Sequence, residues 1–302
     1  VKTLFFGTSE FSVPSLEAAA QRTQVQGVVT QPDRPAGRGH KLTAPPAKMA
    51  AEKLGIPVYQ PASLRDFAAE LAGRHFDFFI LASYGKLIPQ SLLDVPKLGS
   101  LNVHPSLLPQ YRGATPIQSA LRDGATETGV TIMLMDAGLD TGDIVLQERM
   151  PILPGETYGE LHDRLARFGA QALIHAIDAG RGGAFPRTPQ NGKATTTRPL
   201  RKEDLTIDWN WEAPRIVNFV RSLSPNPAAR AVIAKTSVKI LRAEVAQWER
   251  PLVEPGTIAS MIGDGLGVQS GNGVVNVLEV IAPNRGPQTG ASFGAQFLRA
   301  GT

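Results

Sequence analysis

The sequence predicts an α/β protein, an open and mostly parallel sheet followed by a small OB-like β-barrel. Three observations carry that reading. Short apolar runs and helix-type stretches alternate through the first 180 of 302 residues. A Gly-, Pro- and Thr-rich segment at 181–204 lacks apolar periodicity and reads as a linker. Beyond it the runs turn short and β-like, punctuated by Gly-Asp-Gly at 263–265 and Gly-Asn-Gly at 271–273. The expected organisation is a first domain at 1–180, a basic linker at 181–204 and a barrel domain at 205–302.

The elements follow in order. Residues 3–6 form a buried strand stopped by Gly7. Ser12-Val13-Pro14 reads as a helix start, with Ser12 as cap and Pro14 in the first turn. Strands are expected at 25–29, 57–59, 76–81 and 100–104. Their apolar residues run on without alternating, so both faces are covered, as in a parallel sheet. Residues 129–135 and 143–152 are two further strands, joined by the Gly-rich loop 136–142. A helix at 158–177 shows Leu161, Leu165, Phe168 and Ala172 at helical spacing, with His162 and Asp163 beside the stripe facing solvent. After the linker come a helix at 213–222 and strands at 231–233, 237–245, 256–261, 265–268 and 273–280.

Composition bounds the chemistry. There are 31 Lys and Arg against 27 Asp and Glu, with the basic excess in 181–204 and the C-terminal third. That pattern permits a polyanionic partner and equally suits a solvated linker. The absence of Cys excludes disulfides, Cys-bound zinc, thiolate catalysis and iron–sulfur clusters, and leaves the redox compartment open. No apolar run approaches the roughly 18 residues of a membrane span, and the first residues lack a signal-type segment. A cytoplasmic location is the expectation. There is neither a Gly-x-Gly-x-x-Gly fingerprint after the first strand nor a P-loop.

The most informative run is Asn102-Val103-His104-Pro105-Ser106-Leu107-Leu108-Pro109. On a strand, Asn102 and His104 project to one side. Pro105 ends the strand, which places the pair at the edge where open α/β sheets bind ligands. An Asn and a His suit stabilisation of a developing oxyanion. The loop at 136–142 offers Asp136 and Asp140 as partners for His104, and the spacing selects neither. A nearby carboxylate is expected to raise the His104 pKa and favour imidazolium. On these residues alone, strand-end capping is the better reading of an isolated Asn-x-His before Pro. Ser106 has no nucleophile elbow around it. His40, His75, His162 and His175 show no metal-motif spacing, so no metal is expected.

The second unusual stretch spans 31–48. It is long for a βα connection and carries Arg34, Arg38, Lys41 and Lys48 against Asp33. A basic loop at a catalytic edge suits a phosphate backbone or an RNA end. On charge alone, a solvated surface loop is the slightly better reading.

Several stretches together resemble the methionyl-tRNA formyltransferase family over nearly the whole chain. They are Gln31-Pro32-Asp33-Arg34-Pro35-Ala36-Gly37-Arg38-Gly39, Asn102-x-His104-Pro105-Ser106-Leu107-Leu108-Pro109, Tyr111-Arg112-Gly113-Ala114-x-Pro116-Ile117-Gln118, and Glu127-Thr128-Gly129-Val130-Thr131-Ile132-Met133 leading to Asp140-Thr141-Gly142-Asp143. The resemblance implies a Rossmann-like formyltransferase sheet and formyl transfer from 10-formyltetrahydrofolate to initiator methionyl-tRNA. It implies a catalytic trio of Asn102, His104 and Asp140. It implies folate contacts from Ser106, Leu107, Leu108 and Pro109. Arg34, Arg38 and Lys41 would meet the tRNA, with the barrel holding it, and the chain would act as a monomer without a metal. Ser9 and Glu10 depart from the Pro and Asp usual in the first loop. Two other readings compete: a folate-dependent formyltransferase for a small amine, such as an amino sugar nucleotide, and a non-enzymatic RNA-binding protein.

Overall fold

The computed structural model describes residues 1–36, 41–248, 250 and 253–298. The chain divides into two compact units. The first comprises Val1–Gly113, Glu127–Pro151 and His162–Thr197. The second comprises Ala114–Thr126, Ile152–Leu161 and Arg198–Thr302, of which 299–302 lie outside the described residues.

In chain order the first unit contains β1 (Lys2–Gly7), α1 (Ser12–Arg22), β2 (Gln24–Val29), β3 (Arg34–Ala36), β4 (Lys41–Thr43), α2 (Pro46–Lys53), β5 (Val58–Tyr59), α3 (Leu64–Glu70), β6 (Phe78–Ala82), α4 (Gln90–Leu93), β7 (Ser100–His104) and β8 (Arg112–Gly113). After α5 (Pro116–Arg122), which belongs to the second unit, come β9 (Glu127–Leu134) and β10 (Ile144–Pro151). The helix α6 (Tyr158–Ala179) follows, then β11 (Thr196–Thr197).

Seven strands form one sheet in the order β10-β9-β7-β6-β1-β2-β5. From β5 to β7 every neighbour is parallel; β9 is antiparallel to β7, and β10 to β9. The sheet is thus mostly parallel, as expected. The chain moves outward from β1 through β2 to β5, then returns to the other side of β1 with β6. That reversal opens a crevice at the carboxyl ends of the strands.

The continuous apolar runs have a direct cause. Leu4 and Phe6 of β1 pack with Val29, Phe79, Leu81 and Tyr84 on one face of the sheet. Phe5 and Ile80 point the other way and are equally buried. Each such side chain contributes about 1.5–3 kcal/mol relative to exposure. The short helices α2 to α5 escaped the sequence reading because four to eight residues cannot display a full amphipathic stripe.

Local corrections have local reasons. Ser12 is the first residue of α1 and not its cap. Phe11 holds the cap position, and the Ser12 hydroxyl donates to the Ser9 carbonyl at 2.6 Å. His162 is half-buried, not solvent-facing, because its ring packs edge-on against Phe11, 5.4 Å between centroids. The base of the basic loop is an antiparallel hairpin of β3 and β4, and residues 37–40 at its tip lie outside the described residues.

The second unit contains α7 (Ala213–Leu223), β12 (Ala229–Ile233), β13 (Thr236–Val245), β14 (Ile258–Ile262), β15 (Gly265–Gln269), β16 (Val274–Ile281), β17 (Pro287–Thr289) and α8 (Gly290–Leu298). The strands form an antiparallel sheet in the order β12-β13-β16-β15-β14. β17 pairs with β16 alongside the stretch where β15 has left it. The expected five strands are thus joined by a sixth, short one. Bulges near Ile240 and Arg242 break the register of β13 against β16. Ile216, Phe219, Val220 and Leu223 of α7 pack into the same core as Val238, Ile240, Val275 and Val277.

Candidate active site

Strand β7 brings Asn102 and His104 to the carboxyl edge of the first sheet, and Pro105 ends it there. The β9–β10 loop brings Asp140 to the same place. Asn102 Nδ2 donates to Asp140 Oδ1 at 3.5 Å, and His104 Nδ1 lies 3.7 Å from Asp140 Oδ2. The three side chains expected to converge do so around one carboxylate. Asp140 is also pinned by the backbone N–H of Gly113, which donates to Oδ2 at 2.7 Å.

The geometry separates Asp140 from Asp136. The Asp136 carboxylate accepts from the Gly138 N–H at 2.9 Å and the Thr141 hydroxyl at 2.6 Å, and so folds its own loop. Asp140 stands at φ +52°, a left-handed conformation costing on the order of 1–3 kcal/mol in a residue with a Cβ. Two residues on, a Cβ on Gly142 would meet the Leu134 carbonyl oxygen at 1.7 Å, so glycine is required for the loop to close on β9.

The expectation that His104 is an imidazolium is corrected. Its ring is buried, and burial pushes its pKa below the ordinary histidine value, outweighing the Asp140 charge and the Tyr111 hydrogen bond that raise it. His104 Nε2 is 3.0 Å from the Tyr111 carbonyl oxygen. A carbonyl only accepts, so Nε2 carries the proton. The open position of the neutral ring is Nδ1, facing Asp140.

Of the four residues after Pro105, Ser106 and Leu108 are buried and Leu107 and Pro109 are half-exposed. The Ser106 hydroxyl donates to the Gln110 carbonyl at 2.6 Å. Thr131 ties the turn down: its hydroxyl donates to the Ser106 carbonyl at 2.7 Å and accepts from the Leu108 N–H at 3.2 Å. Leu107 and Pro109 are therefore the side chains of this run with surface to offer a ligand.

In the basic hairpin, Arg34 is exposed. Lys41 lies across from Ala36 in β4, and Arg38 falls outside the described residues. Lys48 is spent locally, its ammonium bonding both Asp33 oxygens at 2.9 Å. The Lys48 hydrogen bond, with help from Gln60, lowers the Asp33 pKa. Among the described residues, no three His, Asp or Glu side chains gather as a metal-binding group. No helix there is long and apolar enough to cross a membrane.

Several contributors were not foreseen. Tyr111 and Gly113 act through backbone groups, which leave no residue-type signal. Gln190 donates to the Asp140 carbonyl at 2.9 Å from fifty residues away. At the crevice between β1 and β6, Ser9 Oγ bonds Ser83 Oγ at 2.7 Å, and Thr8 Oγ1 donates to the Tyr84 carbonyl at 2.8 Å.

The fold and this polar site define a formyl transferase. Residues 1–177 match the formyl transferase family, and residues 199–298 match the formyl transferase C-terminal domain. A methionyl-tRNA formyltransferase of Syntrophus aciditrophicus is 45% identical, covering 94% of this chain and 92% of that one. Its counterpart in Geobacter sulfurreducens is 40% identical, covering 100% and 96%. The chain belongs to the methionyl-tRNA formyltransferase family. The same fold is found in HypX from Aquifex aeolicus solved with tetrahydrofolic acid (TM-score 0.66, 17% identity, 98% of this chain and 47% of that one). It recurs in an N-formyltransferase from Helicobacter canadensis (TM-score 0.67, 19% identity, 93% and 98%).

Proposed function

We propose that this enzyme transfers the formyl group of 10-formyltetrahydrofolate to the amino group of initiator methionyl-tRNA, in the cytoplasm and as a monomer. Residues 1–180 form the catalytic domain, 181–204 the linker and 205–302 the tRNA-binding domain. The observation that carries the reading is the single Asp140 carboxylate shared by Asn102 and His104 at a sheet edge.

The chemistry follows from the geometry. The neutral amine attacks the formyl carbon, a carbon–nitrogen bond forms, and negative charge develops on the formyl oxygen. The long Asn102–Asp140 contact leaves the Asn102 amide free to turn an N–H toward that oxygen. The amine's proton passes to the Asp140–His104 pair, where Nδ1 is the open site. The resulting imidazolium is already held at Nε2 by Tyr111 and faces a carboxylate at Nδ1. The carbon–N10 bond then breaks, and N10 takes the proton as tetrahydrofolate leaves. No step calls for a metal.

Leu107 and Pro109, with the turn built by Ser106 and Leu108, form part of the folate surface. Arg34, Arg38 and Lys41 offer cations to the acceptor end of the tRNA. The test is a formyl-transfer assay comparing methionyl initiator tRNA with small amine acceptors. Asn102→Ala, His104→Ala and Asp140→Asn should each lower kcat by about 10²–10⁴-fold with tRNA binding kept. Transfer to an amino sugar nucleotide but not to tRNA would overturn the substrate. Equal loss of binding and turnover in all three variants would reduce the trio to a folding element.

A further inference from the structure

Residues 185–197 are tethered along the strand ends of the first unit. Phe185 is buried edge-on against Phe78, 5.2 Å between ring centroids. Thr188 exchanges two backbone hydrogen bonds with Ile144, the first residue of β10, at 2.8 and 2.9 Å. Thr195 accepts the Tyr111 N–H on its hydroxyl at 2.8 Å and the Arg112 N–H on its carbonyl at 2.9 Å. Thr196 and Thr197 pair in parallel with Arg112 and Gly113. The stretch that holds His104 and Asp140 is thus itself held by the linker.

Gln190 is the centre of this arrangement. Its Nε2 donates to the Asp140 carbonyl at 2.9 Å and to the Gly142 carbonyl at 2.8 Å. Its Oε1 accepts from Arg112 Nε at 3.1 Å and Nη2 at 2.7 Å. Two carbonyls demand donors and a guanidinium demands an acceptor, so a side-chain amide fits both sides. A carboxylate would satisfy Arg112 and repel the two carbonyls.

We infer that Gln190 is a positioning residue for formyl transfer, locking the Asp140 loop and the Arg112–Gly113 strand into one frame. This rests on the reading of Asp140 as a catalytic group. The frame matters because Asp140 touches three partners from a left-handed backbone. A shift of about 1 Å at such a centre costs on the order of a hundredfold in rate. The linker therefore does more than join two domains: it completes the site.

The experiment measures kcat and KM for methionyl-tRNA and 10-formyltetrahydrofolate with the full chain carrying Gln190→Met, Gln190→Glu, Asp140→Asn, or Gln190→Met with Asp140→Asn. Both Gln190 variants should lose about 10–100-fold in kcat, with each KM within about twofold of wild type. The double variant should be no slower than Asp140→Asn alone, within about twofold, because the two act as one unit. A purely structural residue would instead lower the unfolding midpoint and multiply the Asp140→Asn defect. Should Gln190→Met fail to fold, Gln190→Glu, which keeps the Arg112 pair, decides. Wild-type kcat in the folded Gln190 variants, or a fully multiplied defect in the double variant, overturns the positioning role. Wild-type turnover in Asp140→Asn would instead sink the catalytic reading beneath it.

Discussion

The Asp140 carboxylate accepts the backbone N–H of Gly113 at 2.7 Å, so a main-chain group aims the acid that Asn102 and His104 share. Gly113 cannot be exchanged freely. It stands at φ +100°, and a Cβ there would meet the Thr197 carbonyl oxygen at 2.3 Å. Gly113→Ala should destabilise the protein by about 1–3 kcal/mol and lower kcat at least tenfold. Denaturant unfolding and steady-state kinetics check it; wild-type values in both would show that the N–H does not aim Asp140.

The pH dependence of turnover has a defined direction. In the proposed mechanism His104 acts as the neutral ring, and burial holds its pKa below the ordinary value of 6.5. The neutral form therefore persists as pH falls through 6.5, and kcat declines only below it. An acid limb centred above the ordinary histidine value would contradict the buried neutral ring. His104→Ala, whatever its residual rate, should lack that limb.

Glu160 is one acid-sensitive anchor of the second unit. Its carboxylate accepts the Thr157 N–H at 2.9 Å at the start of α6 and pairs with Arg242 at 2.5 Å, which draws its pKa from 4.5 to about 2. A carboxylate with a depressed folded pKa contributes stability that is complete above the unfolded value. That contribution is lost as pH falls from 4.5 toward 2. Urea midpoints measured over this window should drop less steeply for Glu160→Gln than for wild type. Parallel slopes would show that the pair contributes nothing, as exposed pairs sometimes do.

The basic hairpin should act on tRNA alone. Arg34→Ala and Arg38→Ala are expected to raise KM for methionyl-tRNA severalfold, leave KM for 10-formyltetrahydrofolate unchanged, and weaken the salt dependence of tRNA binding. A rise in both KM values would place the hairpin at the folate site instead.

The core of the first sheet is intolerant of truncation. Phe79 is fully buried and rings with both Phe6 and Phe76 at 5.2–5.3 Å. Phe79→Ala should cost about 3–5 kcal/mol in denaturant unfolding. A loss below 1 kcal/mol would mean that the sheet collapses around the vacancy.

Much of this molecule was readable in advance, for reasons visible in particular residues. The run from Ser100 to His104 announced a strand because Leu101 and Val103 lie between two breakers, Gly99 and Pro105, and β7 has those bounds. Asn102 and His104 share a side because the period of a strand is two. Ser12 misled because a serine before Val-Pro resembles a cap, while a preceding turn from Ser9 moved the helix start. The Thr157–Glu160 capping pair has the three-residue spacing of a capping box, a signal carried by residue type and spacing alone.

The sequence by itself determined the main strands of both units, the longer helices α6 and α7 and the residue types at the sheet edge, because those are set by local periodicity and by where apolar side chains can hide. Tertiary structure set the Asp140 carboxylate, and not that of Asp136, against Asn102 and His104, buried the His104 ring so that its pKa falls, and brought Gln190 onto the Asp140 and Gly142 carbonyls. Each of those outcomes depends on what lies within a few ångströms across dozens of intervening residues. Desolvation and long-range hydrogen bonding exist only once the chain has folded.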